Sequence, residues 1–116
     1  KNVNPEAVFF PSKNDIHQDH GVLAQNAYRI FRDGNCFGYE VIRSSYDFKP
    51  NIYFEISEEE LQHKKAAIMR YKSQLTESAG YYFNRELIEA EARFRGGQSG
   101  IVFAEAFECY RQTIER

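Results

Sequence analysis

Asn14-Asp15-Ile16-His17-Gln18-Asp19-His20 holds two of the three histidines in the chain and two carboxylates between positions 15 and 20. Neutral imidazole is a good zinc ligand, and a carboxylate beside it can fix the orientation of the ring through its second nitrogen. The start of a helix adds partial positive charge, suited to an anion or a developing oxyanion. The stretch follows a predicted buried strand, and open α/β sheets bind ligands at the carboxyl ends of their strands. If His20 opens a helix, His17 lies in the preceding turn and the two rings can face a common point. The spacing alone is not specific. A catalytic zinc takes three protein ligands and an open position, of which His-x-x-His supplies two at most. The alternative is a polar helix start capped by Asp19, with both imidazoles in solvent.

The elements around this stretch must position it. Ala7–Phe10 is a continuous apolar run bounded by Pro5 and Pro11, the pattern of a strand buried on both faces of a parallel sheet. Ser12–Asp15 is turn chemistry. A helix is predicted from Asp19 or His20 to Phe31, with Val22, Leu23, Asn26, Ala27, Ile30 and Phe31 as its mostly apolar stripe and Asp33-Gly34-Asn35 as its stop. Strand, turn, helix and stop make half of a parallel βαβ unit. Phe37–Ile42 and Ile52–Ile56 read as further strands. Ser57 and Glu60 form a capping box for a helix reaching about Gln74, with Leu61, Ile68, Tyr71 and Leu75 on one face. A last helix is predicted over Asn84–Phe94, then a glycine-rich loop over Arg95–Gly100 and an apolar return over Ile101–Phe107. The expected class is α/β: a Rossmann-like sheet with flanking helices, in one unit or part of one.

Pro11-x-x-Asn14-Asp15-x-His17-x-Asp19-His20 resembles the second conserved motif of the PIG-L/LmbE-like deacetylases, zinc hydrolases that remove acetyl groups from N-acetylglucosamine conjugates. Tyr71-Lys72-Ser73-Gln74 is similar to the helix end of that family. Arg95-Gly96-Gly97-Gln98 followed by Phe103-Ala104-Glu105-Ala106-Phe107-Glu108 is similar to its C-terminal segment. The three motifs come in order and span about Pro11 to Phe107. The resemblance implies that His20 is a zinc ligand and that His17 stabilises the tetrahedral intermediate, with Asp19 orienting His17. It implies a sugar pocket lined by the Phe103–Phe107 segment, including Glu105; a tyrosine is common where this chain has Phe103. Arg43 is a further candidate for an anionic group on the substrate, against the alternative of a surface salt bridge.

Relatives in that family begin with a strand and Ala-His-Pro-Asp-Asp-Glu, which carries the other zinc ligands and the general base, and residues 1–116 contain no such stretch. The resemblance therefore covers only the C-terminal part of the domain. It implies that Zn2+ needs ligands from the missing N-terminal half, that the intact domain deacetylates an N-acetylated amino sugar or its conjugate, and that this chain alone is inactive. The rival reading is a non-catalytic α/β interaction module, or a half-domain completed by another chain. The absence of Met at Lys1 fits a piece of something longer.

Composition narrows the classes further. Aromatic residues make up 16% and apolar residues 42% of 116 residues, which argues against disorder, and a formal net charge of -2 does not suit a general nucleic-acid binder. No run reaches the roughly 20 apolar residues of a membrane-spanning helix. Two cysteines, Cys36 and Cys109, are too few for a disulfide framework, and a reducing cytoplasm is the simplest setting. They and His63 read as core and surface residues, respectively.

Overall fold

The apolar run after Pro5 forms strand β1 (Ala7–Pro11) in the computed structural model, which describes residues 5–72 and 80–116. Among these residues follow helix α1 (Gln18–Ile30), strands β2 (Asn35–Tyr39) and β3 (Ile52–Glu55), helices α2 (Glu58–Lys72) and α3 (Arg85–Ser99), and strand β4 (Ala104–Arg111). The strands form one mixed sheet in the order β1-β2-β4-β3, with β1 parallel to β2 and β2 antiparallel to β4. The expected α/β class holds. Two compact units are formed, one from the residues up to Ile52 with Ala106–Arg116, the other from Tyr53–Glu105.

In the first unit, β1, α1 and β2 complete the predicted βαβ unit, in register from Ala7 opposite Asn35 to Pro11 opposite Tyr39. Its core joins Phe10, Ala24 and Cys36 to Val8, Ala27, Tyr28, Phe31 and Tyr110. Burying a ring such as Phe10 stabilises the fold by roughly 1.5–3 kcal/mol. Three expectations are corrected. β1 is not buried on both faces: it is an edge strand, and Phe9 stays 48% exposed. The buried face of α1 keeps only Ala27 and Phe31 of the predicted stripe. Val22, Leu23 and Ile30 face solvent, and Ala24, Ala27, Tyr28 and Phe31 pack inward, because alanine lets the helix approach the strands closely. β2 ends at Tyr39, short of the predicted Ile42, because Val41 turns the chain by accepting at its carbonyl from the amides of Ser44 and Ser45.

In the second unit, the Ser57–Glu60 capping box forms as expected: each backbone amide donates to the other's side chain, at 2.7 and 3.0 Å. Leu61, Ile88, Ala92 and Phe103 make the core, with Ile56 and Ile68 against it. Ser73, Gln74 and Leu75 lie outside the described residues. Asn84 caps α3 by accepting from the Leu87 amide. The predicted loop over Arg95–Gly100 is instead the last turns of α3, which ends at Gly100 in the left-handed conformation, φ 80°. Gly96 is there for contact: a Cβ would lie 2.4 Å from the Val102 carbonyl oxygen, while one at Gly97 would meet nothing within 4 Å. Glycine inside a helix costs about 1 kcal/mol relative to alanine. Gly97→Ala should therefore raise the stability measured by urea unfolding by up to about 1 kcal/mol. Gly96→Ala should lower it by roughly 1–3 kcal/mol through overpacking against backbone. Equal shifts in both variants would contradict this packing.

Candidate functional site

The chain leaves β1 through a turn that is fully hydrogen-bonded. Ser12 donates its amide to Tyr39 O at 2.9 Å, continuing the ladder past the last strand residue. The Asp15 amide donates to Ser12 O at 3.1 Å and that of Ile16 to Ser44 O at 3.1 Å. Asp15 then accepts from the His17 amide through Oδ1 at 2.8 Å, an Asx turn that starts α1. The site thus sits where a parallel strand ends and a helix begins, as its sequence position suggested.

The side chain of Asp15 is fully buried, and its Oδ2 lies 3.0 Å from His20 Nδ1. Ser45 Oγ donates to the same oxygen at 3.3 Å and itself accepts from the Val41 amide at 2.7 Å. Burial pushes the Asp15 pKa up, but the His17 amide, the nearby Ser44 hydroxyl and His20 outweigh it, so the carboxyl is held below its ordinary value. The Ser44 hydroxyl is buried and makes no hydrogen bond among the described residues.

The two imidazoles stack, with ring centroids 4.4 Å apart and planes 21° apart. Their hydrogen bonds assign them opposite tautomers. His17, the N-cap of α1, accepts from the Asp19 amide at Nδ1 (3.2 Å), so the neutral ring carries its proton on Nε2. His20 faces a carboxylate at Nδ1, so the neutral ring carries its proton there and leaves a lone pair on Nε2. Side by side stand one N–H donor and one metal-type nitrogen.

The expected carboxylate–imidazole pair is therefore present between other partners. Asp19 meets His17 through its backbone amide and not its carboxylate, which sits exposed in the first turn of α1. Asp15 supplies the carboxylate, and it holds His20. As a zinc donor His20 fits, because a buried carboxylate fixes the ring and leaves Nε2 free. Among the described residues, however, no three His, Cys, Asp or Glu side chains are grouped to hold an ion.

The remaining candidates have partners of their own. Arg43 is exposed and donates to Tyr46 Oη at 3.0 Å; it forms no ion pair among the described residues. Phe103 is buried in the second unit's core, with the Arg93 guanidinium 4.9 Å from its ring centroid. Glu105, also in the second unit, pairs with Lys64 at 2.7 Å. Cys36 is buried, with its thiol pKa raised by desolvation, and Cys109 is half-buried; both are free. His63 is exposed, as expected.

Sequence reasoning missed a second buried carboxylate. Glu108 is 4% exposed and accepts from Ser12 Oγ and Tyr110 Oη, both at 2.5 Å. Lys13 places its ammonium 4.4 and 4.5 Å from the ring centroids of Tyr28 and Tyr110. The only signal was a charged residue in step with Ala104 and Ala106 on the inward face of β4.

No protein-family model matches the sequence. Two solved structures share the fold. The conserved protein TT1542 from Thermus thermophilus superposes with a TM-score of 0.71 at 24% identity, over 97% of this chain and 54% of that one. N,N'-diacetylchitobiose deacetylase from Pyrococcus horikoshii, complexed with an inhibitor, superposes with a TM-score of 0.61 at 22% identity, over 90% and 45%. The chain thus spans about half the length of each. The mixed sheet with flanking helices is a fold that part of a sugar deacetylase also adopts. No helix among the described residues is long and apolar enough to cross a membrane.

The burial of Tyr110 and the adjacent Glu108 push its phenol up to about 12, against 10.0 for an ordinary tyrosine. A group whose pKa is raised on folding contributes stability that is complete below the unfolded value and lost as pH rises through the folded one. Folding stability should therefore fall between about pH 10 and 12. In Tyr110→Phe that part of the fall should vanish, as read by unfolding at stepped pH; an unchanged alkaline profile would contradict the assignment.

Proposed function

We propose that this chain is part of a zinc-dependent N-deacetylase that hydrolyses the acetamide of an N-acetylated amino sugar or its conjugate. The opposed tautomers of the stacked His17 and His20 carry the reading. The fold shared with a chitobiose deacetylase and the motif resemblance of Pro11–His20 support it. Hydrolysis adds water across the amide, breaking the carbonyl C–N bond to give acetate and a free amine. A bound zinc ion supplies Lewis-acid polarisation of the carbonyl and lowers the pKa of water.

The residues of this chain divide the remaining work. His20 offers Nε2 as one zinc donor, oriented by Asp15, and Asp15 in turn is fixed by the His17 amide and Ser45 Oγ. His17 directs Nε2–H at the charge that develops on the carbonyl oxygen, a role in which a preorganised donor is worth about 100- to 1000-fold in rate. The N-terminus of α1 adds to the same positive field. The other ligands and the base that takes a proton from water come, on this reading, from a His-Pro-Asp-Asp segment outside this chain, so residues 1–116 alone are inactive. Two free thiols support a reducing, cytoplasmic setting.

The test uses the intact protein. His20→Ala should lower bound zinc, read by elemental analysis after dialysis. His17→Ala should keep zinc while turnover of an N-acetylglucosamine conjugate falls roughly 100-fold or more. Full activity and equal zinc content in both variants would refute the assignment.

A further inference from the structure

We propose that Glu108 is a positioning residue for the His17–His20 site, acting through the hydroxyls of Ser12 and Tyr110 on the turn that carries Asp15. The arrangement follows from where each hydrogen points. Glu108 Oε1 accepts from both hydroxyls, and Oε2 accepts from the Lys49 amide at 2.8 Å. With their protons committed to the carboxylate, the two hydroxyl oxygens present only lone pairs to the turn. Tyr110 Oη accepts from the Lys13 amide at 2.9 Å, and Ser12 Oγ from the Asn14 amide at 3.2 Å. The next amide, that of Asp15, goes to Ser12 O at 3.1 Å. Three consecutive amides leading into Asp15 thus rest on two residues that one carboxylate holds in place.

The phenol reaches this point because its ring is fixed. It stacks on Phe10 at 5.8 Å and 16°, and Gly38 leaves the space, since a Cβ there would lie 2.6 Å from Tyr110 Oη. Ser12 is 0% exposed, so water cannot replace the carboxylate as its acceptor without opening the turn. An inward apolar side chain would pack on β4 more simply than a charge. The carboxylate earns its place by orienting hydroxyls. The aim of Asp15 matters for catalysis only if the proposed deacetylase reading holds; the positioning itself does not depend on it.

The test reads geometry and not turnover. In the intact protein stripped of metal by a chelator and carrying 15N-labelled histidine, at a pH where both rings are neutral, the nitrogen shifts of His20 should show the Nδ1–H tautomer. Glu108→Gln, whose amide oxygen can still accept both hydroxyl protons, should keep that tautomer and lose only the Lys49 contact. Glu108→Leu should release it toward the Nε2–H form that free imidazole favours, and hydrogen exchange at the Asn14 and Asp15 amides should quicken at least about 10-fold. If Glu108→Leu does not fold, Tyr110→Phe decides, since it keeps the ring stack and removes one link. Faster exchange at Lys13 with a loosened His20 tautomer would support the role. Folded variants with His20 and the turn amides unchanged would overturn it. The predicted variant shifts in a protein that releases no acetate when loaded with zinc would support the positioning role and end the deacetylase reading.

Discussion

Asp15 buries its carboxylate at the end of β1 and meets Nδ1 of His20 at 3.0 Å, and the chemistry available to this region follows from that contact. A buried carboxylate must be hydrogen-bonded or the fold loses several kcal/mol. Its partners are the His17 amide, Ser45 Oγ and His20, so meeting its electrostatic needs also sets the start of α1 and the direction of one imidazole. With Nδ1 taken, His20 has a single free nitrogen. His17, bonded in the opposite sense, has a single free N–H. The difference between the two rings comes from backbone geometry at a helix start and one acid, with no unusual residue involved.

The surrounding fold delivers this geometry by ordinary means. A parallel β1–β2 pair ends in a turn whose amides are all satisfied, and α1 packs its alanine face on the strands. Pro11 closes an edge strand, where a missing N–H costs nothing on the open side. Glu108 reaches the same turn from β4, so sheet pairing and site geometry share residues. The match to about half of two larger chains, each at under 25% identity, concerns the fold. The proposed reaction rests on the imidazole pair and on the motif resemblance.

Much of the first unit was legible in the sequence. Pro5 precedes β1 and Pro11 ends it, Gly34 follows α1, and both histidines fall at the start of α1. Other features were hidden by physical competition. The apolar residues of α1 fall on two faces, and ranking by hydrophobicity adds Val22, Leu23 and Ile30 to Ala27, whereas close approach selects Ala24 and Tyr28 beside it. Gly96 and Gly97 lower helix propensity and imitate a loop; the contact of Gly96 with Val102, which makes a glycine there useful, is tertiary. Asp19 and Asp15 both stand near an imidazole in sequence, and only the turn decides which carboxylate points inward. Glu108 was least legible, because Ser12 lies 96 positions away.

The most direct test of this account is the zinc affinity of the intact protein and its Asp15→Asn variant, measured by competition with a chromophoric chelator. Asparagine keeps the size of the side chain but presents either an amide N–H or a weaker acceptor to His20. If Asp15 orients the donor nitrogen, affinity should fall about 10- to 100-fold, the usual loss when a metal-bound histidine is deprived of its hydrogen-bond partner. An affinity equal to that of the unaltered protein, in a variant shown to be folded, would contradict it.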